Sequence, residues 1–373
     1  MYYFDNCATT PVKPEVLDLL NKINNQIYGN ASSIYSSGKK SRALIEKARY
    51  QVASSIKADP EQIIFMSGGT EANNQVLWSL LEKDRPHVIS NQIEHSAVNE
   101  ALSHLSRFGV EHTFADLNCD GTVDVDSILN SIKRNTSLIC LMMANNEIGS
   151  IQPLNEVVQI AKEKRIMVHT DAVQCMGKIE LNVSKLGVDF LTLSAHKFYG
   201  PKGVGALYVR NPKMINPLIL GGGQERGLRA GTESVALIAG MGLACKIAYS
   251  NLNNHKKLLN DLETYFKAQL KKITSNVIFN GNQRKKIPGL INISFPGHQS
   301  NMMMAALDRA NIAVSNGSAC ASGIVKPSPV LSALGLKDDL NLSSIRFSFG
   351  AFNTKKEIDY LMKELKHILN LNG

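Results

Sequence analysis

No two of the six cysteines (7, 119, 140, 175, 245 and 320) stand in a CxxC pair. That spacing excludes a zinc knuckle and offers no disulfide framework, which leaves the question of whether one of them is a reactive thiol. No apolar run is longer than the 11 residues from Val235 to Cys245, too short to span a bilayer. The opening residues, Met1-Tyr2-Tyr3-Phe4-Asp5, lack the basic and apolar regions of a signal peptide, so a cytoplasmic protein without membrane contact is expected. Aromatics are only 6% of the chain. Nucleic-acid modules interleave aromatics with basic charge. The surplus of 41 Lys+Arg over 32 Asp+Glu therefore reads as a solvated basic face, with an acidic protein partner or a transient tRNA contact as the alternatives, and no direct nucleic-acid contact is expected. Repeats and low-complexity tracts are missing as well. With 44% hydrophobic residues the chain is neither disordered nor fibrous.

What is present fits about two domains in 373 residues. Helical patterns alternate with short apolar runs at Gln62–Met66, His87–Ser90, Leu138–Met143, Ile166–Thr170, Phe190–Ser194 and Val204–Val209. Alternation of this kind predicts an α/β unit with a mainly parallel sheet, helices on both faces and functional residues at the carboxyl ends of the strands. A long amphipathic helix follows, with Leu258, Leu262, Tyr265, Phe266, Leu270 and Ile273 on one stripe. Shorter elements come next, at Leu290–Phe295, Ile312–Val314 and Ser344–Phe349, and Thr354 with Glu357 announces a capped last helix. The boundary falls near 250: residues 15–250 form a large domain, and 1–14 with 251–373 a smaller α+β domain that carries Cys320.

Several strand ends carry chemistry. Ser194-Ala195-His196-Lys197 places a lysine directly after a strand and before a Gly/Pro turn. Pyridoxal 5'-phosphate needs such a lysine to hold its aldehyde, although a strand-end lysine is also a common surface charge. Asp171 stands 26 residues earlier, again after a strand, where a carboxylate beside the ring nitrogen keeps it protonated or simply caps a helix. Ser67-Gly68-Gly69-Thr70 runs from strand to helix and offers backbone N–H groups and a hydroxyl to a phosphate. It lacks the spacing of a nucleotide-triphosphate loop, as does Gly38-Lys39-Lys40-Ser41, and Gly200–Gly205 precedes a strand and not the helix a dinucleotide fingerprint requires. Glu94-His95 offers a stacking or proton-exchanging imidazole, or a structural one. Asn145-Asn146-Glu147 suits ligand hydrogen bonds or a turn. Cys320 lies among small residues in Ser315–Gly323, unlike Cys140 and Cys245 in their apolar runs, and that setting suits a nucleophilic thiolate.

Taken together, these stretches resemble the cysteine desulfurases of the nitrogen-fixation and iron–sulfur-assembly type, in the class V aminotransferase family. The likeness runs from Tyr3-Phe4-Asp5-Asn6-Cys7-Ala8-Thr9-Thr10-Pro11 through Gly29–Ser33 and the motifs above. It continues through Gly221–Thr232 to Ser343–Ser348. It implies an aspartate-aminotransferase-like fold type I with bound pyridoxal 5'-phosphate. Lys197 then matches the cofactor-linked lysine, Asp171 the ring-nitrogen partner, Gln174 the residue bonding the phenolic oxygen and His95 the stacked histidine. Gly69, Thr70, Ser194 and His196 match the phosphate-binding set. Thr232 matches a residue reaching the neighbouring subunit's phosphate, which implies a homodimer. Arg346 matches the substrate-carboxylate arginine, with Asn146 beside it, and Cys320 the nucleophile that takes the sulfur.

The implied reaction removes sulfur from L-cysteine, leaving L-alanine and a Cys320 persulfide for an acceptor protein, with His95 as proton carrier. Three departures stand out. Ala195 replaces a frequent glycine, Cys7 stands where serine or alanine is common, and the chain stops at Gly373 soon after its last helix. Relatives that serve the iron–sulfur scaffold often have a longer tail for docking it, so a tRNA-thiolation enzyme is as open an acceptor as the scaffold. An aminotransferase or a selenocysteine lyase of the same fold is the nearest alternative. A sulfur-transfer platform with vestigial catalysis is the alternative from another class.

Overall fold

The structure is a computed structural model that describes residues 1–84, 86–316 and 326–370. Cys320 therefore lies outside the described residues. The strands are β1 (Tyr2–Tyr3), β2 (Ile63–Met66), β3 (His87–Ser90), β4 (Glu111–Phe114), β5 (Thr136–Cys140), β6 (Met167–Asp171), β7 (Phe190–Ser194), β8 (Gly205–Val209), β9 (Ile278–Asn280), β10 (Leu290–Ser294), β11 (Ile312–Ala313) and β12 (Ser344–Ser348). Four helices of the first half matter below: α1 (Pro14–Gln26), α2 (Ser36–Ile56), α3 (Gly69–Trp78) and α4 (Ser96–Leu105).

Seven strands form the central sheet in the order β2-β8-β7-β6-β5-β3-β4. All neighbours run parallel except β8, which is antiparallel to both β2 and β7. Side chains alternate between the faces of a strand. Accordingly Ile63 and Phe65 of β2 enter one apolar core while Ile64 and Met66 enter another on the opposite face. Burial on both faces explains why β2 and β8 are continuous apolar runs and do not alternate with polar residues. The first core also takes in Val16 and Leu20 of α1, Ile45 and Val52 of α2, and Met241 and Ala244 of the helix Val235–Ser250. That helix lies so close to α2 that a Cβ on Gly242 would stand 2.6 Å from the Ala48 Cα.

Another core gathers Phe4, Leu262, Phe266 and Leu270 of the helix Leu252–Ile273, Ile291 and Ile293 of β10, Ile345 and Phe347 of β12, and Leu361 and Leu365 of the last helix. Here β12, β10 and β9 form an antiparallel sheet. The N-terminal β1 pairs in parallel with β11. The last helix starts with a reciprocal cap: Thr354 N donates to Glu357 Oε2 (2.8 Å), and Glu357 N donates back to Thr354 Oγ1 (3.3 Å). No single helix among the described residues is long and apolar enough to cross a membrane.

Candidate active site

The antiparallel β8 sits between β2 and β7, so β2 points the same way as β7 and its parallel neighbours. The carboxyl ends of β2, β3, β5, β6 and β7 therefore share one sheet edge, where an α/β sheet offers its crevice. A cavity of about 330 Å³ opens there. Gly69, Thr70, His95, Asn146, Asp171, Gln174, Ser194, His196, Lys197 and Arg346 all line it.

Asp171 ends β6 and is buried. Its Oδ2 accepts from Asn73 Nδ2 at 2.7 Å, and its Oδ1 from Val173 N at 2.9 Å. Asn73 stands one turn into α3, and its own Oδ1 is buried with no hydrogen bond. One strand over, Lys197 closes the short turn after β7. Its Nζ donates to the carbonyls of Cys7 and Ala8, both at 2.7 Å. Burial is the largest influence on this amine and pushes its pKa from 10.5 down to about 8. The nearby Arg346 and Lys178 charges push the same way, against Cys7 and Asp171.

Gln174 donates Nε2 to the Cys7 carbonyl (2.9 Å), and its Oε1 accepts from the buried Lys178 Nζ (3.0 Å). The Cys7 carbonyl is thus a shared acceptor that ties the N-terminal segment to the floor of the site. His196 has its Nδ1 3.1 Å from Thr9 Oγ1, and burial, with Lys197 and Lys202 beside it, pushes its pKa down to about 4. His95 is the N-cap of α4, with Nδ1 accepting from Ala97 N at 3.1 Å. Acceptance at Nδ1 leaves the ring proton on Nε2. Its neighbour Glu94 does not line the cavity. That carboxyl is fully buried, accepts from Met142 N (2.6 Å) and Asn91 Nδ2 (2.9 Å), and is pushed up to about 8 by burial.

Arg346 reaches in from β12. It is 4% exposed, Nη2 pairs with Asp5 Oδ1 at 2.6 Å and Nη1 donates to the Asn146 carbonyl at 2.9 Å. Of the polar run after β5, Asn145 serves its own turn, with Oδ1 accepting from the backbone N–H groups of Glu147 and Ile148, and Glu147 accepts from Ser328 Oγ at 2.6 Å. Asn146 alone of the three lines the cavity.

Thr232 does not enter this cavity. It is exposed and borders a separate one with Ser67, Gly203 and Arg229. Asn73, Asp5 and Cys7 also line the cavity and were given no role by the motifs, and Lys178 supports Gln174 from outside it. Asp5 and Cys7 lie inside the stretch Tyr3–Pro11, and Asn73 sits four residues after Gly69.

The class-V aminotransferase family model matches residues 2–361 of the chain. Cysteine desulfurase IscS of Dictyoglomus turgidum is 43% identical over 371 residues, covering 98% of this chain and 94% of that one. The mitosomal cysteine desulfurase of Encephalitozoon cuniculi is 43% identical over 365 residues, covering 96% and 84%. A solved NifS-like protein superposes with a TM-score of 0.93 at 35% identity over 99% of both chains.

Proposed function

The chain belongs to the class-V aminotransferase family, among the cysteine desulfurases, and from that membership we propose that it draws sulfur from L-cysteine with bound pyridoxal phosphate. The products are L-alanine and a persulfide on Cys320, which passes its sulfur to an acceptor protein. The observation that carries the reading is one cavity holding the Lys197 amine and the Asp171 carboxylate at the ends of adjacent strands, with the Arg346 guanidinium on its wall.

The residues present fit the cofactor. Gly69 and Thr70 begin α3 and both line the cavity, so a helix N-terminus of the kind that takes a phosphate borders it. The Asp171 carboxylate is buried and fixed by two donors, as a partner for a protonated ring nitrogen must be. When bound, pyridoxal phosphate supplies an electron sink for bonds broken at the substrate's α-carbon.

The chain's own groups do the rest. Lys197 would hold the cofactor's aldehyde, and its amine, with a pKa near 8, is suited to that and to taking a proton from the substrate's α-carbon. His95, with its proton on Nε2, would stack on the cofactor ring and carry protons between substrate and solvent. Arg346 would bind the substrate carboxylate beside Asn146, and Gln174 would bond the cofactor's phenolic oxygen. Gly69, Thr70, Ser194 and His196 would hold its phosphate. Burial, with Lys197 and Lys202 beside it, pushes the His196 pKa down to about 4, and a bound phosphate would push it back up. Thr232 serves the phosphate of a second copy in a homodimer. We take 15–250 as the cofactor-binding domain and 1–14 with 251–373 as the smaller one, in a cytoplasmic protein whose acceptor is an iron–sulfur scaffold or a tRNA-thiolation enzyme.

The test is to mix purified protein with L-cysteine and a reducing thiol, then quantify alanine and sulfide in one tube. Near-equal amounts are expected. Cys320→Ser is expected to end sulfide release while leaving the absorbance of the bound cofactor intact. Transfer of the amino group to a keto acid without sulfide would make the protein an aminotransferase instead.

A further inference from the structure

The N-terminal segment carries a carboxylate that the reaction outlined above does not use. Residues 4–7 lie along the end of β12 and are fixed there by backbone bonds. Ser348 N donates to the Phe4 carbonyl (2.7 Å), Asn6 N donates to the Ser348 carbonyl (3.3 Å) and Cys7 N donates to Ser348 Oγ (2.9 Å). The next pair in the ladder is Phe4 N donating to the Ala313 carbonyl at 2.9 Å. Asp5 is held between these anchors. Arg346, two residues before Ser348, projects from the same face of β12 and meets the Asp5 carboxylate at 2.6 Å. Both side chains line the active cavity.

A guanidinium has five N–H donors. Two hydrogen bonds from Arg346 are formed, Nη2 to Asp5 and Nη1 to the Asn146 carbonyl. Nε is buried with no hydrogen-bond partner. A buried, unpaired donor next to open Nη hydrogens is a seat for one more acceptor, and a carboxylate fits a guanidinium edge with two parallel bonds. The backbone on both sides of Asp5 is hydrogen-bonded to β12 and β11, so its carboxylate is kept beside Arg346, where a substrate carboxylate would meet it.

We infer that Asp5 is a specificity-determining counter-ion of Arg346, which sets how strongly the seat attracts carboxylates. The Asn146 carbonyl and the surrounding burial already orient the guanidinium, so what Asp5 adds is chiefly charge. Its negative charge repels an incoming carboxylate and lowers the affinity of the seat for free anions. Binding then depends on the carboxylate arriving with the rest of an amino acid that makes the remaining contacts. The seat takes one monocarboxylate beside Asp5, and a second carboxylate on the same ligand is disfavoured. Asp5 acts on the substrate through the charge it places on Arg346.

This rests on the reading of Arg346 as the substrate-carboxylate arginine, and the test separates the two. Asp5→Asn keeps an oxygen that accepts from Nη2 and removes only the charge. In the cofactor-loaded enzyme, Asp5→Asn is expected to lower the KM for L-cysteine about tenfold and to change kcat less. It should also lower the inhibition constant of propionate, a carboxylate without an amino group, by a similar factor. A rise or no change in KM, with the propionate constant unmoved, would overturn the inference and leave Asp5 as a mere orienter. Arg346→Gln is run beside it. A large rise in both constants in that variant keeps the Arg346 reading, so that any failure belongs to Asp5. If Arg346→Gln moves neither constant, the reading of Arg346 is wrong and the role of Asp5 goes with it.

Discussion

Replacing Lys197 by Ala is expected to lower kcat for sulfur removal about 10³-fold to 10⁴-fold, the upper range for removing a positioned general base. The amine closes the turn after β7, and the Cys7 and Ala8 carbonyls hold it, each at 2.7 Å. Burial weighs most on it, and its pKa falls from 10.5 to about 8. A lysine pushed in that direction is easier to deprotonate. At pH 7 about a tenth of such an amine is neutral, against about three in ten thousand for an ordinary lysine. Only the neutral form attacks an aldehyde. The rate at which cofactor-free protein regains the absorbance of the bound cofactor should therefore climb with pH and level off above about 8. A rate still climbing at pH 10 would contradict the depressed amine. Lys197→Arg should capture no cofactor covalently at any pH, since its guanidinium stays protonated. Added methylamine should restore part of the activity to Lys197→Ala, because the space of the lost side chain opens directly onto the cavity. Rescue of that kind separates a missing base from a collapsed site.

The sheet was largely legible because its strands are buried on both faces. Ile63–Met66 and Phe190–Ser194 are apolar runs bounded by turns, and the strands sit where those runs are. Where the physics differs, the reading fails. β4 has the sequence Glu111-His112-Thr113-Phe114, polar and half-exposed, because it is the edge strand and covers only one neighbour. Nothing in its pattern separates it from a loop. β9, at the edge of the smaller sheet, is only three residues long (Ile278-Phe279-Asn280), too short to show a period. The run Leu138–Met143 shows the opposite error. β5 ends at Cys140, and the chain goes on extended, with Leu141 N and Met143 N donating to the carbonyls of His169 and Asp171.

The candidate site was legible where a chemically distinctive residue stands at a strand end, as at Lys197 and Asp171, which both line the cavity. It was not legible where the task belongs to a group any residue carries or to a contact across the fold. The Cys7 carbonyl binds both Lys197 and Gln174, yet every residue has a carbonyl. Asn73 meets Asp171 98 positions away, and Asp5 meets Arg346 341 positions away. Only the pairing of β1 with β11 and of the following residues with Ser348 brings Asp5 to Arg346.

The largest expected effect on stability lies away from the cavity mouth, at Arg49 of α2. Arg49 Nη2 and Nη1 donate to Glu225 Oε1 and Oε2 at 2.7 and 2.8 Å, and both side chains are 3% exposed. Nη1 also donates to the Ile63 carbonyl, and Glu225 Oε2 accepts from Phe65 N, so the pair is stitched into β2. Glu225 and the next residue, Arg226, both have positive φ, 46° and 60°. Neither is glycine, and each left-handed residue costs about 1–2 kcal/mol. The pair thus holds a strained turn against the strand that leads into Gly69 and Thr70. Arg49→Leu leaves the Glu225 carboxylate buried without its cation and should cost about 3–5 kcal/mol, read as a lower urea midpoint at fixed protein concentration. Glu225→Leu leaves Arg49 with only the half-exposed Glu46 on its Nε (3.1 Å) and the Ile63 carbonyl, and should cost less than Arg49→Leu. The double variant Arg49→Leu/Glu225→Leu should cost clearly less than the two single losses added together, because no charge is then left unpaired. Strict additivity would mean that the two side chains act separately and that the turn is held by something other than their contact.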